Sequence, residues 1–200
     1  MKVSSAPAPQ IGNFALSAEN AQKMGRIFAR YPSDKRASAI IPLLDLAQRE
    51  NGGWLSKKAI EFVALQCDVA PIRVYEVASF YTMFYTKPMG RNIVQVCRTT
   101  PCWLRGSDDI AQACKDKLGI ELGETTADGN FSLIEVECLG ACCNAPMVQI
   151  NDDFYEDLNA DNMVQILEAL ERGEQPQTGS QSGRMSSEPE GGRQTLLQDE

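Results

Sequence analysis

Asn92-Ile93-Val94-Gln95-Val96 ending at Cys97, and Ser132-Leu133-Ile134-Glu135-Val136-Glu137 ending at Cys138, decide the fold of this chain. Each run is short, rich in β-branched residues and bounded by turn-forming positions, which is the pattern of a strand. Each is followed by a second cysteine, Cys102 after the first and Cys142 after the second. If the two strands lie side by side and end on the same side of a sheet, their following loops meet, and four thiols converge on one place.

Working outward, residues 107–118 read as a helix with Ile110, Ala113, Cys114 and Leu118 turned inward, one face of a 3.6-residue period. Met147-Val148-Gln149-Ile150 and Phe154-Tyr155-Glu156 read as two more strands, with Asn151-Asp152-Asp153 as the turn between them. A closing helix carries Met163, Ile166, Leu167 and Leu170 on one face and stops at Gly173. The order β-α-β-β-β-α predicts a small four-stranded sheet with two helices, the layout of a thioredoxin-like domain, over residues 88–173.

The preceding residues, 14–87, read as a lobe of four helices. Met24, Ile27, Phe28 and Tyr31 share one face of the first, and Ile40, Leu43, Leu44 and Ala47 one face of the second. Pro42 is expected to kink that second helix or delay its start. Ser56 caps the third, with Ile60, Val63, Ala64 and Cys67 inward, and Pro71 opens the fourth, which buries Val74, Val77, Ala78 and Tyr81. Residues 1–13 are rich in Pro, Ala and Ser and are expected to be flexible. Residues 174–200 are rich in Gln, Ser, Gly, Pro and Glu with few apolar residues, the composition of a disordered tail. The fold class is therefore α+β, a helical lobe followed by a small sheet domain.

Composition narrows the chemistry. The formal charge of −8 argues against a nucleic-acid partner, which needs clustered Lys and Arg. The chain has no histidine, which excludes Ser-His-Asp and Cys-His catalysis, histidine-ligated zinc and a Rieske centre. The first residues lack the apolar core of a signal peptide, and no apolar run approaches membrane-spanning length, so a reducing compartment and no direct membrane insertion are expected. Seven cysteines in such a setting serve packing, catalysis or a metal rather than disulfides.

Cys97-x4-Cys102 and Cys138-x3-Cys142 stand thirty-five residues apart. Four thiolates suit a 2Fe–2S cluster or a structural zinc, and spacing alone leaves the two level. The surroundings lean toward a cluster. Gly140 and Ala141 let backbone N–H groups approach bridging sulfides, Ser107 and Asp108 open a helix just after Cys102, and Arg98 and Arg105 would offset negative charge. No G-x-G-x-x-G and no P-loop occurs, so nucleotide and flavin are expected to be held elsewhere. Neither cysteine pair has the C-x-x-C spacing of a thiol oxidoreductase.

The strings from Val96 to Gly106 and from Glu137 to Met147 resemble one family closely, the 24-kilodalton 2Fe–2S subunit (E subunit) of respiratory complex I, the NADH:quinone oxidoreductase. Val77-Ala78-Ser79-Phe80-Tyr81-Thr82-Met83-Phe84 and the stretch Asn151 to Leu158 are similar to that family too, and the likeness spans about residues 14–172. The resemblance implies that Cys97, Cys102, Cys138 and Cys142 ligate one 2Fe–2S cluster in a thioredoxin-like ferredoxin domain. It implies no complete active site in this chain alone. It further implies a larger partner subunit holding FMN and NADH, further peripheral-arm subunits, eventual transfer to ubiquinone, and a cytoplasmic position peripheral to the bacterial inner membrane. In that family the flavin takes a hydride from NADH and releases electrons singly, and this cluster accepts one of them beside the main route.

Two features depart from the family pattern. Arg98 follows the first ligand where smaller residues are common, and added positive charge there would raise a cluster's potential. The doublet Cys142-Cys143 offers two thiols of which one can ligate, and the motif selects Cys142. The same motifs occur in the small diaphorase subunits of NAD-linked hydrogenases and formate dehydrogenases, and a zinc-stapled interaction module is the alternative without redox chemistry. Elsewhere, Cys67 and Cys114 read as small buried hydrophobes, and Pro146 as a cis-proline or a trans turn residue. Trp103 reads as a shield over the site or a docking contact, and Phe80, Tyr81, Phe84 and Tyr85 as partner-facing or packing residues. Asp108-Asp109 and Asp152-Asp153 read as caps and turns.

Overall fold

The computed structural model describes residues 14–192, 194 and 195. The expected flexibility of residues 1–13 lies outside them. The chain forms two compact units that divide between Met89 and Gly90.

The first unit is helical. Helix α1 (Ala18–Phe28) is capped by the Ser17 hydroxyl, which accepts from the Asn20 N–H. A 3-10 turn (Arg36–Ala39) runs directly into α2 (Ile40–Glu50). Pro42 therefore falls in the first turn of α2, where its missing N–H removes no intrahelical bond, and the preceding residues tighten into the 3-10 turn. Ser56 caps α3 (Lys57–Cys67) through the Ala59 N–H, and Pro71 opens α4 (Pro71–Phe80). Leu43, Leu44, Leu55, Val63, Cys67, Val74 and Phe84 share one core, against which Met24, Ile27, Phe28 and Tyr31 are partly buried. Tyr81 departs from the expected inward face, because α4 ends at Phe80 and both residues are exposed. Gln48 holds the following turn, donating to the Met83 carbonyl at 3.0 Å and accepting from the Tyr85 N–H at 2.8 Å.

The second unit carries strand β1 (Asn92–Cys97), a short helix α5 (Thr100–Leu104), α6 (Ser107–Leu118), β2 (Phe131–Val136), β3 (Val148–Ile150), β4 (Asp153–Glu156), α7 (Ala160–Glu171) and β5 (Gly179–Ser180). The sheet order is β2-β1-β3-β4-β5. Strands β1 and β2 are parallel, in a register that sets Cys97 opposite Val136, while β3 is antiparallel to β1 and to β4. Val94 and Val96 join Phe131, Leu133, Val148, Ile150 and Tyr155 in the core with Ile110 and Cys114 of α6 and Met163, Ile166 and Leu167 of α7. Period-two alternation places Cys97 on the opposite strand face from Val94 and Val96, out of that main core.

The structure differs from the sequence reading in three places in this unit. Helix α5 stands where a loop is expected; five residues are too few to show a helical period. Strand β2 stops at Val136, two residues before Cys138. The composition of residues 174–200 predicts a disordered tail, yet Gly179 and Ser180 pair in parallel with Tyr155 and Glu156 and add a fifth strand.

One close approach fixes the entry to β1. A Cβ added to Gly90 would lie 2.5 Å from the Phe131 carbonyl carbon, and the Gly90 N–H donates to the buried Ser132 hydroxyl at 2.7 Å. Only glycine fits against this backbone. The substitution Gly90→Ala is expected to destabilise the chain by about 1–3 kcal/mol, the usual penalty for overpacking. Thermal or urea unfolding checks this, and an unchanged midpoint would contradict the close contact.

Candidate metal centre

The parallel pairing of β1 and β2 delivers two loops to one end of the sheet. The first leaves β1 at Cys97, turns through Thr99 and enters α5, whose third residue is Cys102. The second leaves β2, passes Cys138 and Gly140 with φ of 87°, and closes in a 3-10 turn over Cys142–Asn144. That left-handed conformation is open to glycine without strain. The Ala145–Pro146 peptide that follows is cis, one of the two readings of Pro146.

The four thiols stand as two pairs of different burial. Cys97 and Cys102 are each 1% exposed and sit in a small core with Ala145 and Met147. Cys138 and Cys142 are exposed, their sulfurs 3.4 Å apart. The pairs are tied to each other. The Leu139 N–H of the second loop donates to the Cys97 sulfur, and the Thr99 hydroxyl of the first reaches Cys138 as well as Cys97. Thr99 occupies the N-cap position of α5 without capping it; its hydroxyl lies 3.4 Å from the Cys97 sulfur instead.

Backbone N–H groups converge on the sulfurs. Thr99 and Leu139 supply Cys97, Met147 supplies Cys102, and Gly140 supplies Cys138. Burial pushes the Cys97 thiol up, but donation from Thr99, Cys102 and Leu139 outweighs it, and its pKa falls below the ordinary thiol value. Burial raises Cys102, which is further held as the proton donor to Cys97. In the outer pair the Gly140 N–H, then Cys142, lowers Cys138, while donation to Cys138 raises Cys142. N–H bonds to sulfur favour the deprotonated form, the one that ligates metal.

Other expected residues are redistributed. Arg98 donates to Asp108 and to Glu135, and these two carboxylates offset its charge. The expectation of a raised potential from Arg98 is weakened by that pairing. Arg105 pairs with Glu190 at 3.2 Å on the surface. Trp103 is 55% exposed and donates its indole N–H to Asp108 at 3.1 Å, which supports the docking reading over the shield. Asp108 is therefore an ion-pair residue, and the N-cap of α6 is Gly106. Cys67 and Cys114 are buried in the two cores as expected. The sequence reading missed Thr99, Leu139 and Met147 as donors to sulfur. A hydroxyl two residues after Cys97 is the one available signal; the amides carry none.

Comparison with known proteins follows the same lines. Residues 24–171 match the family described as thioredoxin-like 2Fe-2S ferredoxin. NADH dehydrogenase [ubiquinone] flavoprotein 2, mitochondrial, of Dictyostelium discoideum is 53% identical over 185 residues, 92% of this chain and 75% of that protein. The E subunit of the NADH-quinone oxidoreductase of Rickettsia bellii is 58% identical over 161 residues, 80% of this chain and 96% of that protein. Among solved structures, an NAD+-reducing NiFe hydrogenase in its air-oxidized state superposes with a TM-score of 0.58 at 21% identity. It matches 66% of this chain, which spans 23% of the hydrogenase chain, and the likeness is one of fold.

Burial separates the thiols kinetically. In metal-free protein, brief alkylation with iodoacetamide followed by peptide mass spectrometry is expected to label Cys138, Cys142 and Cys143 and to spare Cys67, Cys97, Cys102 and Cys114. Because the Cys138 pKa is lowered and that of Cys142 raised, labelling of Cys138 persists as pH falls when that of Cys142 has faded. Rapid labelling of Cys97 or Cys102 would contradict the inner and outer division.

Proposed function

The chain belongs to the thioredoxin-like 2Fe–2S ferredoxin family, and from that premise we propose that it is the one-electron carrier subunit of an NADH:quinone oxidoreductase, with Cys97, Cys102, Cys138 and Cys142 holding one 2Fe–2S cluster. The observation that carries the reading is the arrangement of the thiols in two pairs. A single zinc ion draws all its ligands about one centre at about 2.3 Å from each sulfur. Here the sulfurs stand as two pairs, Cys97 and Cys102 buried, Cys138 and Cys142 exposed and 3.4 Å apart. Two irons take thiolates two by two, and two pairs linked by Thr99 and Leu139 suit that need. Such a cluster supplies reversible one-electron storage.

This chain's own residues do the rest. Cys97 and Cys102 anchor the inner side, where burial excludes water. The N–H groups of Thr99, Leu139, Gly140 and Met147 offset negative charge at the sulfurs, a lever that sets potential. Cys138 and Cys142 open the outer side to a partner, and exposed Trp103 and Leu104 offer an apolar contact close to the first loop. Hydride chemistry belongs to FMN and NADH on a larger partner subunit. The relatives at 53% and 58% identity, named for NADH dehydrogenase and NADH-quinone oxidoreductase, support this branch over a hydrogenase diaphorase. Among the described residues no helix is long and apolar enough to cross a membrane, which suits a peripheral subunit on the cytoplasmic side of the bacterial inner membrane.

Coexpression with the flavin-binding subunit tests the assignment. NADH is expected to generate the electron paramagnetic resonance signal of the reduced cluster in the assembled pair, while the isolated chain needs dithionite. A loaded pair that NADH never reduces would contradict the role. Within the site, Cys142→Ser is expected to lose or strongly alter the visible absorbance and Cys143→Ser to retain it; the reverse would move the ligand by one residue.

A further inference from the structure

Beyond α7 the chain turns back to the second thiol loop. Gly179 and Ser180 pair with Tyr155 and Glu156, and the Gln181 N–H donates to the Glu156 carbonyl at 2.9 Å. From this strap Arg184 reaches inward. Its side chain is 9% exposed, and that of Asp157 beside it 11%. The guanidinium makes a two-point contact with Asp157, Nε to Oδ2 at 3.0 Å and Nη2 to Oδ1 at 2.9 Å. Its remaining donors reach two backbone carbonyls, that of Glu188 at 3.0 Å and that of Cys143 at 2.5 Å.

The second of these belongs to the Cys143-Asn144 peptide, one residue beyond Cys142. Cys142 and Cys143 are exposed, so little apolar burial fixes their turn. What orients it is polar. Asn144 is buried, donates from Nδ2 to the Ser186 carbonyl at 2.8 Å and to Asp157 at 3.3 Å, and accepts at its carbonyl from the Asp157 N–H at 2.8 Å. Asp157 also accepts from the Ser180 hydroxyl at 2.6 Å. One carboxylate thus gathers the strap, the turn and the end of β4, and Arg184 closes the circuit onto the Cys143 carbonyl. A planar guanidinium can serve a carboxylate and two carbonyls at once; an ammonium has no such fixed fork.

We infer that Arg184 is a positioning residue for the outer thiol pair, holding the Cys143-Asn144 peptide so that the turn keeps Cys142 directed at the cluster site. The inference rests on the cluster reading above. It gives the strap a role in retaining and tuning the cluster.

The test uses the full chain loaded with iron and sulfide. Wild type, Arg184→Gln, Arg184→Lys and Glu190→Gln are compared, the last removing the exposed surface pair with Arg105. The readouts are the loss of visible absorbance under excess iron chelator and the g-values of the reduced cluster. Arg184→Gln is expected to lose its cluster about tenfold faster or more, the usual effect of removing a residue that orients a ligand, and to show shifted g-values. Arg184→Lys falls between, and Glu190→Gln matches wild type. Wild-type release and g-values in folded Arg184→Gln would overturn the inference, even with a lowered melting temperature. If Arg184→Gln does not fold, Ser180→Ala loosens Asp157 while sparing the ion pair; faster release and shifted g-values support the role, and wild-type values overturn it. A wild-type chain that takes up no iron and sulfide fails the cluster reading itself, whereas a loaded chain insensitive to Arg184 fails this inference alone.

Discussion

The parallel pairing of β1 with β2 is the constraint on which the rest depends. Because the two strands run the same way and Cys97 lies opposite Val136, their C-terminal ends coincide, and both thiol loops emerge together. Antiparallel pairing would send the loops to opposite ends of the sheet. The parallel arrangement in turn requires a crossover, which α6 supplies by packing on both strands and on α7. Helix packing, strand register and thiol placement are therefore one problem with one solution.

Within that frame the site is graded from inside to outside. Cys97 and Cys102 are held by burial and by amides of both loops, whereas Cys138 and Cys142 are exposed and held by turn geometry and polar contacts. The grading suits a centre that must be kept from water on one side and reached by a partner on the other. It also explains why charge near the site is managed by dipoles. Arg98 is paired with Asp108 and Glu135, leaving the backbone N–H groups and the Thr99 hydroxyl as the donors aimed at sulfur.

Much of this was legible in the sequence because the decisive signals are local. β-branched runs, the cap at Ser56 and Pro71 at a helix start each report on a few adjacent residues, and both helix starts stand where those residues place them. The cysteine spacing placed two thiol pairs after two strands, and the structure puts them together. What escaped the reading has a common physical cause. Helix α5 is shorter than the period that would reveal it. Amide donors leave no trace in side-chain identity. The strap beyond residue 178 is fixed by hydrogen bonds among Asp157, Asn144, Ser180 and Arg184, polar residues far apart in sequence whose hydropathy resembles that of a disordered tail.

The central claim is that the four thiols serve two irons taken in pairs and not one ion taken together. Mössbauer spectroscopy of the isolated, iron-57-loaded chain, oxidised and then reduced by dithionite, addresses it most directly. The account predicts two tetrahedral sulfur-ligated ferric sites that become one ferric and one ferrous site on uptake of a single electron. One isolated iron site per chain, or colourless protein that binds a single zinc and no sulfide, would contradict it.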